Sequence, residues 1–214
     1  MLGDPITVLF EGIAVGVGLC CTLGPQSVFV LRQGLHGESA LRVAAICSLG
    51  DLLMVAAGAA GFGIVLASFP AVAGAADWVS AVFVLLYGGK LLAETASRPS
   101  GDGRARSSPV GRRACVTITA IALTALNPQV YLEMIGVVGS IAIHQPPAAR
   151  VFFALGVMLV SPLWFFGLAL GGQRLTACVG PRRAMRAADV FAGAAMFGIG
   201  AIMLAAEVIP DLAP

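Results

Sequence analysis

Two carboxyl groups stand where an apolar environment makes them costly. Asp51 lies in Ser48-Leu49-Gly50-Asp51-Leu52-Leu53, inside a long apolar run, and Glu133 ends the stretch Gln129-Val130-Tyr131-Leu132-Glu133. An ionised carboxylate in hydrocarbon persists only when paired, hydrated or turned into a bundle interior. Such a group suits a cation site or a proton-coupling role. The alternative is a carboxyl hydrogen-bonded to neighbouring helices or to backbone amides. Glu11 and Glu207 fall near helix ends and read as interfacial.

Beside these carboxylates lie two related interruptions, Leu23-Gly24-Pro25-Gln26 and Leu126-Asn127-Pro128-Gln129, about half the chain apart. Proline removes a backbone N–H and clashes with the preceding turn. At membrane depth the freed groups need protein or a watery cavity. A matched pair of broken helices, one per half, points to a transporter's binding site. Past each proline a half-helix begins, with free N–H groups and a positive dipole end that suit a carboxylate. Unwound carbonyls before each proline suit an ammonium. Polar side chains gather there: Gln26 and Ser27 at one break, Asn127, Gln129 and Tyr131 at the other. With Asp51 and Glu133 they describe a site for a zwitterion bearing a further positive charge. The competing reading is that the prolines only shape packing.

Other polar and aromatic groups carry less. Trp164, Phe165 and Phe166 lie deep in one apolar run and read as packing, with Trp164 a candidate gate or cation–π wall. Arg32 is either a gate that orients substrate or a topology anchor. Pro162 is expected to kink its helix. His36 and His144 are expected in loops on opposite sides. The five cysteines, Cys20, Cys21, Cys47, Cys115 and Cys178, show neither a disulfide framework nor metal spacing. No metal and no cofactor are expected.

The elements that must hold these groups are membrane helices. The chain of 214 residues is 58% hydrophobic and 11% charged, with mean hydropathy +0.94. A soluble domain carries about twice that charge. The net charge of +2 gives no support for a nucleic-acid partner. Six spans are expected, near 6–31, 40–66, 71–92, 114–143, 150–172 and 188–209. The first is read as a membrane helix and not a leader, because it lacks a basic start and carries Asp4 and Glu11. The stretch 94–113 is polar and turn-rich and reads as a linker between residues 1–93 and 114–214, each a three-helix repeat.

Twelve of the thirteen basic residues fall on one side of this arrangement, and only Arg150 falls on the other. The odd loops are therefore expected in the cytoplasm and both termini outside. Three helices per repeat is an odd number, so the second copy enters the membrane from the opposite side. The expected fold is all-α, six transmembrane helices in two inverted repeats, with helices 1 and 4 broken at Gly24-Pro25 and Asn127-Pro128. Such an architecture supports alternating access. An intramembrane enzyme is disfavoured, because no second aspartate accompanies Asp51 and neither histidine lies in a span.

The run from Gly24 to Leu35, Gly-Pro-Gln-Ser-Val-Phe-Val-Leu-Arg-Gln-Gly-Leu, closely resembles the first-helix signature of the LysE family of basic amino-acid exporters. The likeness continues at Asp51-Leu52-Leu53, at Leu126 to Glu133, and at Leu163 to Leu170, in the family's order. The resemblance implies a multi-pass protein of the bacterial inner membrane that exports lysine and arginine, driven by an ion gradient. Proton antiport is the expected coupling; neutral amino acids or inorganic cations are alternative cargoes, and a homodimer is left open. Asp51, Asn127 and Pro128 match family positions thought functional, and the Gly24-Pro25-Gln26 turn belongs with them. Ser27 departs from the Asn usual in this branch, and Glu133 from its Asp. The related threonine and homoserine exporters usually carry Pro-Gly-Pro at the first break, where this chain has Leu23-Gly24-Pro25.

Overall fold

The computed structural model describes residues 4–20, 24–36, 39–61, 70–97, 109–125 and 130–208. Among them no strand occurs. The helices are α1 (Pro5–Cys20), α2 (Pro25–His36), α3 (Ala40–Ala59), α4 (Pro70–Ser97), α5 (Pro109–Ala125), a π-helical segment (Tyr131–Val137), α6 (Val138–His144), α7 (Pro147–Val179) and α8 (Pro181–Val208). Asn127, Pro128 and Gln129 lie outside the described residues, as do Leu126, Cys21 and the centre of the expected linker.

Among the described residues three helices are long and apolar enough to cross a membrane: Ala40–Ala59, Pro147–Cys178 and Arg186–Ala205. Helices α1 and α2 meet the same requirement together and are inclined at 76° to one another. Twenty residues of α3 span about 30 Å, which matches the hydrocarbon core. The surface is as a membrane protein requires. Leu155, Leu159, Leu163 and Leu170 form an exposed apolar stripe along α7, and Leu49, Leu53, Ile118 and Ile202 are equally bare. Gln26, Gln33, Asp51, Thr124, Ser161 and Asp189 are buried instead. A soluble protein would invert this distribution.

Small residues let the helices approach. The buried face of α1 is Val8, Gly12, Gly16 and Cys20, one residue per turn. A Cβ on Gly12 would meet the Phe153 carbonyl of α7, and one on Gly156 would meet α1. Packing of this kind substitutes for a hydrophobic drive in lipid. Helix α7 contacts α1, α2 and α3, α4 packs on α8, and α3 also packs on α5, the π-helical segment and α6. Two apolar clusters result. One surrounds Phe29, Cys47, Leu123, Phe165 and Met196; the other surrounds Val55, Met134, Val138 and Phe153.

Several boundaries differ from expectation. Residues 94–97 and 109–113 are helical, as continuations of α4 and α5. The fifth loop shrinks to a turn at Gly180, whose φ of 91° suits glycine. Arg174, Arg183 and Arg186 consequently sit on helix ends. His36 and His144 are not in loops: each ends a helix, with its ring bonded to the carbonyl four residues earlier.

Candidate functional site

A cavity of about 30 Å³ lies where the two apolar clusters meet, lined by Leu19, Cys20, Gly24, Gln26, Ser27, Asp51, Val130, Glu133, Met134, Trp164 and Phe165. Five elements build it, with α1 contributing Leu19 and Cys20. Helix α2 starts there, with Pro25 at the first helical position, where its missing N–H costs nothing. The Gly24 carbonyl accepts from the Val28 N–H at 3.2 Å. The N–H groups of this first turn have no intrahelical partner, and the positive dipole end faces the cavity wall.

Helix α3 brings Asp51, which is 3% exposed. Gly50 beside it lets the Thr124 side chain of α5 lie against the backbone. Ser161 Oγ donates to Asp51 Oδ2 at 2.7 Å. Asp51 Oδ1 accepts no hydrogen bond among the described residues, and Ser48 Oγ, one turn earlier, is likewise unsatisfied. A buried acceptor left unsatisfied costs about 1–3 kcal/mol.

The π-helical segment brings Glu133 and Met134 into the wall. Such widened turns recur at functional sites because they redirect side chains out of helical register. Tyr131 does not line the cavity; its hydroxyl donates to the Ala125 carbonyl across residues 126–129. Helix α7 supplies Trp164, whose Nε1 donates to Ser27 Oγ at 3.2 Å. Gln26 Nε2 donates to Thr124 Oγ1 at 3.2 Å. Thus Gly24, Gln26, Ser27, Asp51, Glu133 and Trp164 meet at one place, and Pro25 is buried at its edge.

Arg32 is not at the cavity. It lies further along α2, where its Nε donates to Asp189 Oδ1 of α8 at 2.8 Å. Its Nη1 is 3.5 Å from the Tyr87 hydroxyl of α4. Asp189, Thr124 and Ser161 were not singled out in the sequence. Ser161 precedes Pro162 in an apolar run, a signal of a hydroxyl near a freed backbone group. Asp189 left a weaker trace, because it adjoins the basic stretch at 182–186 and passes for an interfacial residue.

The cavity has water-scale room, less than an amino acid fills. The lining combines two carboxyl groups and an indole, which suit a cation, with a helix N-terminus, which suits an anion. Among the described residues no group of three or more His, Cys, Asp or Glu side chains is placed to hold a metal ion.

Known proteins resemble this chain over nearly its whole length. The family model for LysE type translocators matches residues 17–207. The arginine exporter protein ArgO of Klebsiella pneumoniae is 37% identical over 201 residues, covering 94% of each chain. The protein of that name from Serratia proteamaculans is 34% identical over 194 residues, covering 91% of this chain and 94% of its own. No solved structure matches.

Proposed function

This chain belongs to the LysE family of translocators, a transporter and not an enzyme, and on that premise we propose that it exports arginine and lysine in exchange for protons. The observation that carries the reading is Asp51, a buried carboxylate with one oxygen unpartnered beside a cavity. The cationic end of the substrate binds Asp51, with Glu133 adding negative charge. The α-carboxylate binds the N-terminal turn of α2 and the amide of Gln26. Asn127, Pro128 and Gln129 complete the site as the matching break in the second repeat.

Moving a cation outward against an inside-negative potential costs about 2.3 kcal/mol per 100 mV. Inward protons offset that cost if one group takes either proton or substrate but not both. Asp51 is placed for this exchange.

The halves, 1–93 and 114–214, are inverted repeats in this proposal, with six spans, both termini outside and helices 1 and 4 broken. The packing supports it. Exchanging spans 1, 2 and 3 with 4, 5 and 6 carries the contact of α1 and α2 with α7 onto that of α3 with α5 and α6. The α4–α8 contact maps onto itself. Alternating access then opens the cavity to each side in turn.

Counterflow in proteoliposomes, with labelled arginine, lysine, neutral amino acids and divalent metals at two pH values, tests the proposal. Exchange of arginine and lysine with substrate-dependent proton movement is expected. Exchange confined to neutral amino acids or metals would refute it.

A further inference from the structure

A second polar cluster lies away from the cavity, and the transport site does not use it. Arg32 and His36 project from one face of α2, one turn apart, toward Asp189 on α8. Arg32 Nε lies 2.8 Å and His36 Nε2 3.2 Å from the same Asp189 oxygen. The Arg32 and Asp189 side chains are 14% and 5% exposed. His36 Nδ1 lies 2.8 Å from the Arg32 carbonyl. Both imidazole nitrogens thus face oxygens that only accept. Tyr87 of α4 closes the cluster above Arg32.

This cluster sits between the cavity and the end of the bundle that carries the basic residues. Ser27 lines the cavity, and Arg32 follows five residues later, about 7.5 Å along the helix. Between them an aromatic layer fills the space. Phe29 is 1% exposed and meets Tyr87 edge-on with centroids 6.0 Å apart, and Phe83 stacks on Tyr87 at 6.3 Å. The ion pair also joins the two halves of the chain, since α2 belongs to the first and α8 to the second. Other α2 ties at this end include the Thr176 hydroxyl donating to the Leu35 carbonyl at 2.8 Å, the close approach of Gly34 to Gly172, and the packing of Leu31 and Leu35 on Ala188 of α8.

We propose that Arg32, His36 and Asp189 form the inner gate of the transporter, and that Asp189 is released from Arg32 only when a substrate cation takes its place. Separating the pair without replacement leaves Asp189 with the His36 imidazole alone and Arg32 without its counter-charge, which is strongly unfavourable in a low-dielectric setting. An incoming guanidinium or ammonium compensates; a neutral amino acid does not. The gate therefore adds discrimination for cations ahead of the cavity, and this part rests on the proposed cationic substrate. Arg32 and Asp189 are positioning residues for loading.

The native Cys20 thiol lines the cavity and serves as reporter once the other four cysteines are replaced by serine. A membrane-impermeant maleimide is applied in vesicles from the side on which His36 lies. Removing the pair, as Asp189→Asn or Arg32→Gln, is expected to raise the labelling rate of folded protein at least about fivefold. The reciprocal exchange Arg32→Asp with Asp189→Arg should return it to the starting rate, a rescue that loss of folding does not mimic. With the native pair, arginine should raise labelling and alanine should not. Unchanged labelling in both single variants, or no response to arginine, would overturn the gate. The charge variants do not depend on the cargo, so faster labelling in them from a protein that exchanges only neutral amino acids would sink the proposed function and leave the ion-pair gate standing.

Discussion

Asp51 and Asp189 are both almost fully buried, at 3% and 4% exposure, yet they are held in opposite ways. Asp189 has a guanidinium and an imidazole on one oxygen. Asp51 has one neutral hydroxyl on one oxygen and, among the described residues, no hydrogen bond on the other. A carboxylate supplied with cations by its own chain fastens helices together. In the proposed mechanism, a carboxylate denied them beside a cavity is kept for a cation that comes and goes. On that proposal the difference separates the part of the bundle that closes from the part that binds.

The largest expected effect sharpens that contrast through stability. Asp189→Asn leaves the Arg32 guanidinium buried without its counter-charge, and breaking such a pair costs about 3–5 kcal/mol. Asp51→Asn removes an under-satisfied charge and should change stability by less than about 1 kcal/mol, because Asn keeps the shape and the Ser161 contact. Denaturant unfolding in detergent reads both. Equal losses would erase the distinction between the two carboxylates.

Next in size is Glu133→Gln. Glu133 is half-buried on the π-helical segment, and in the proposed mechanism it supports Asp51 without replacing it. Arginine flux in proteoliposomes should fall about tenfold, equivalent to about 1.4 kcal/mol. A loss as complete as that expected for Asp51→Asn would move the coupling role to Glu133.

The smallest effect concerns the cavity wall. Trp164→Phe keeps an aromatic ring and loses the donor to Ser27. A neutral hydrogen bond contributes about 1 kcal/mol, so the KM for arginine should rise about fivefold with little change in maximal rate. A fall in maximal rate alone would make Trp164 part of the moving machinery instead.

Much of this site was legible because polar residues in an apolar run have to be explained. Asp51, Gln26, Ser27 and Glu133 announced themselves by that contrast, and Gly24-Pro25 by its effect on a helix. Trp164 was marked only by its depth. Hydroxyls gave little signal: Thr and Ser within helices usually bond their own backbone, as Thr95 and Thr119 do, so Thr124 and Ser161 did not stand out. Tyr131 looked like a cavity residue by sequence proximity, but its hydroxyl turns back to Ala125. Asp189 was hidden by the basic residues beside it, since nothing in spacing alone tells that α8 faces α2. The π-helical register leaves no compositional mark.

The central claim is that Asp51 alternates between substrate and proton. Proteoliposomes loaded with labelled L-arginine, under an imposed pH gradient, test it most directly when native protein is compared with Asp51→Asn. The account predicts gradient-driven arginine movement with opposite proton flow for the native protein, and loss of at least about 30-fold for the variant, the equivalent of about 2 kcal/mol from a lost charge-assisted contact, with the variant folded in the membrane. Arginine movement at the native rate by Asp51→Asn would make the carboxylate a packing residue and contradict the account at its centre.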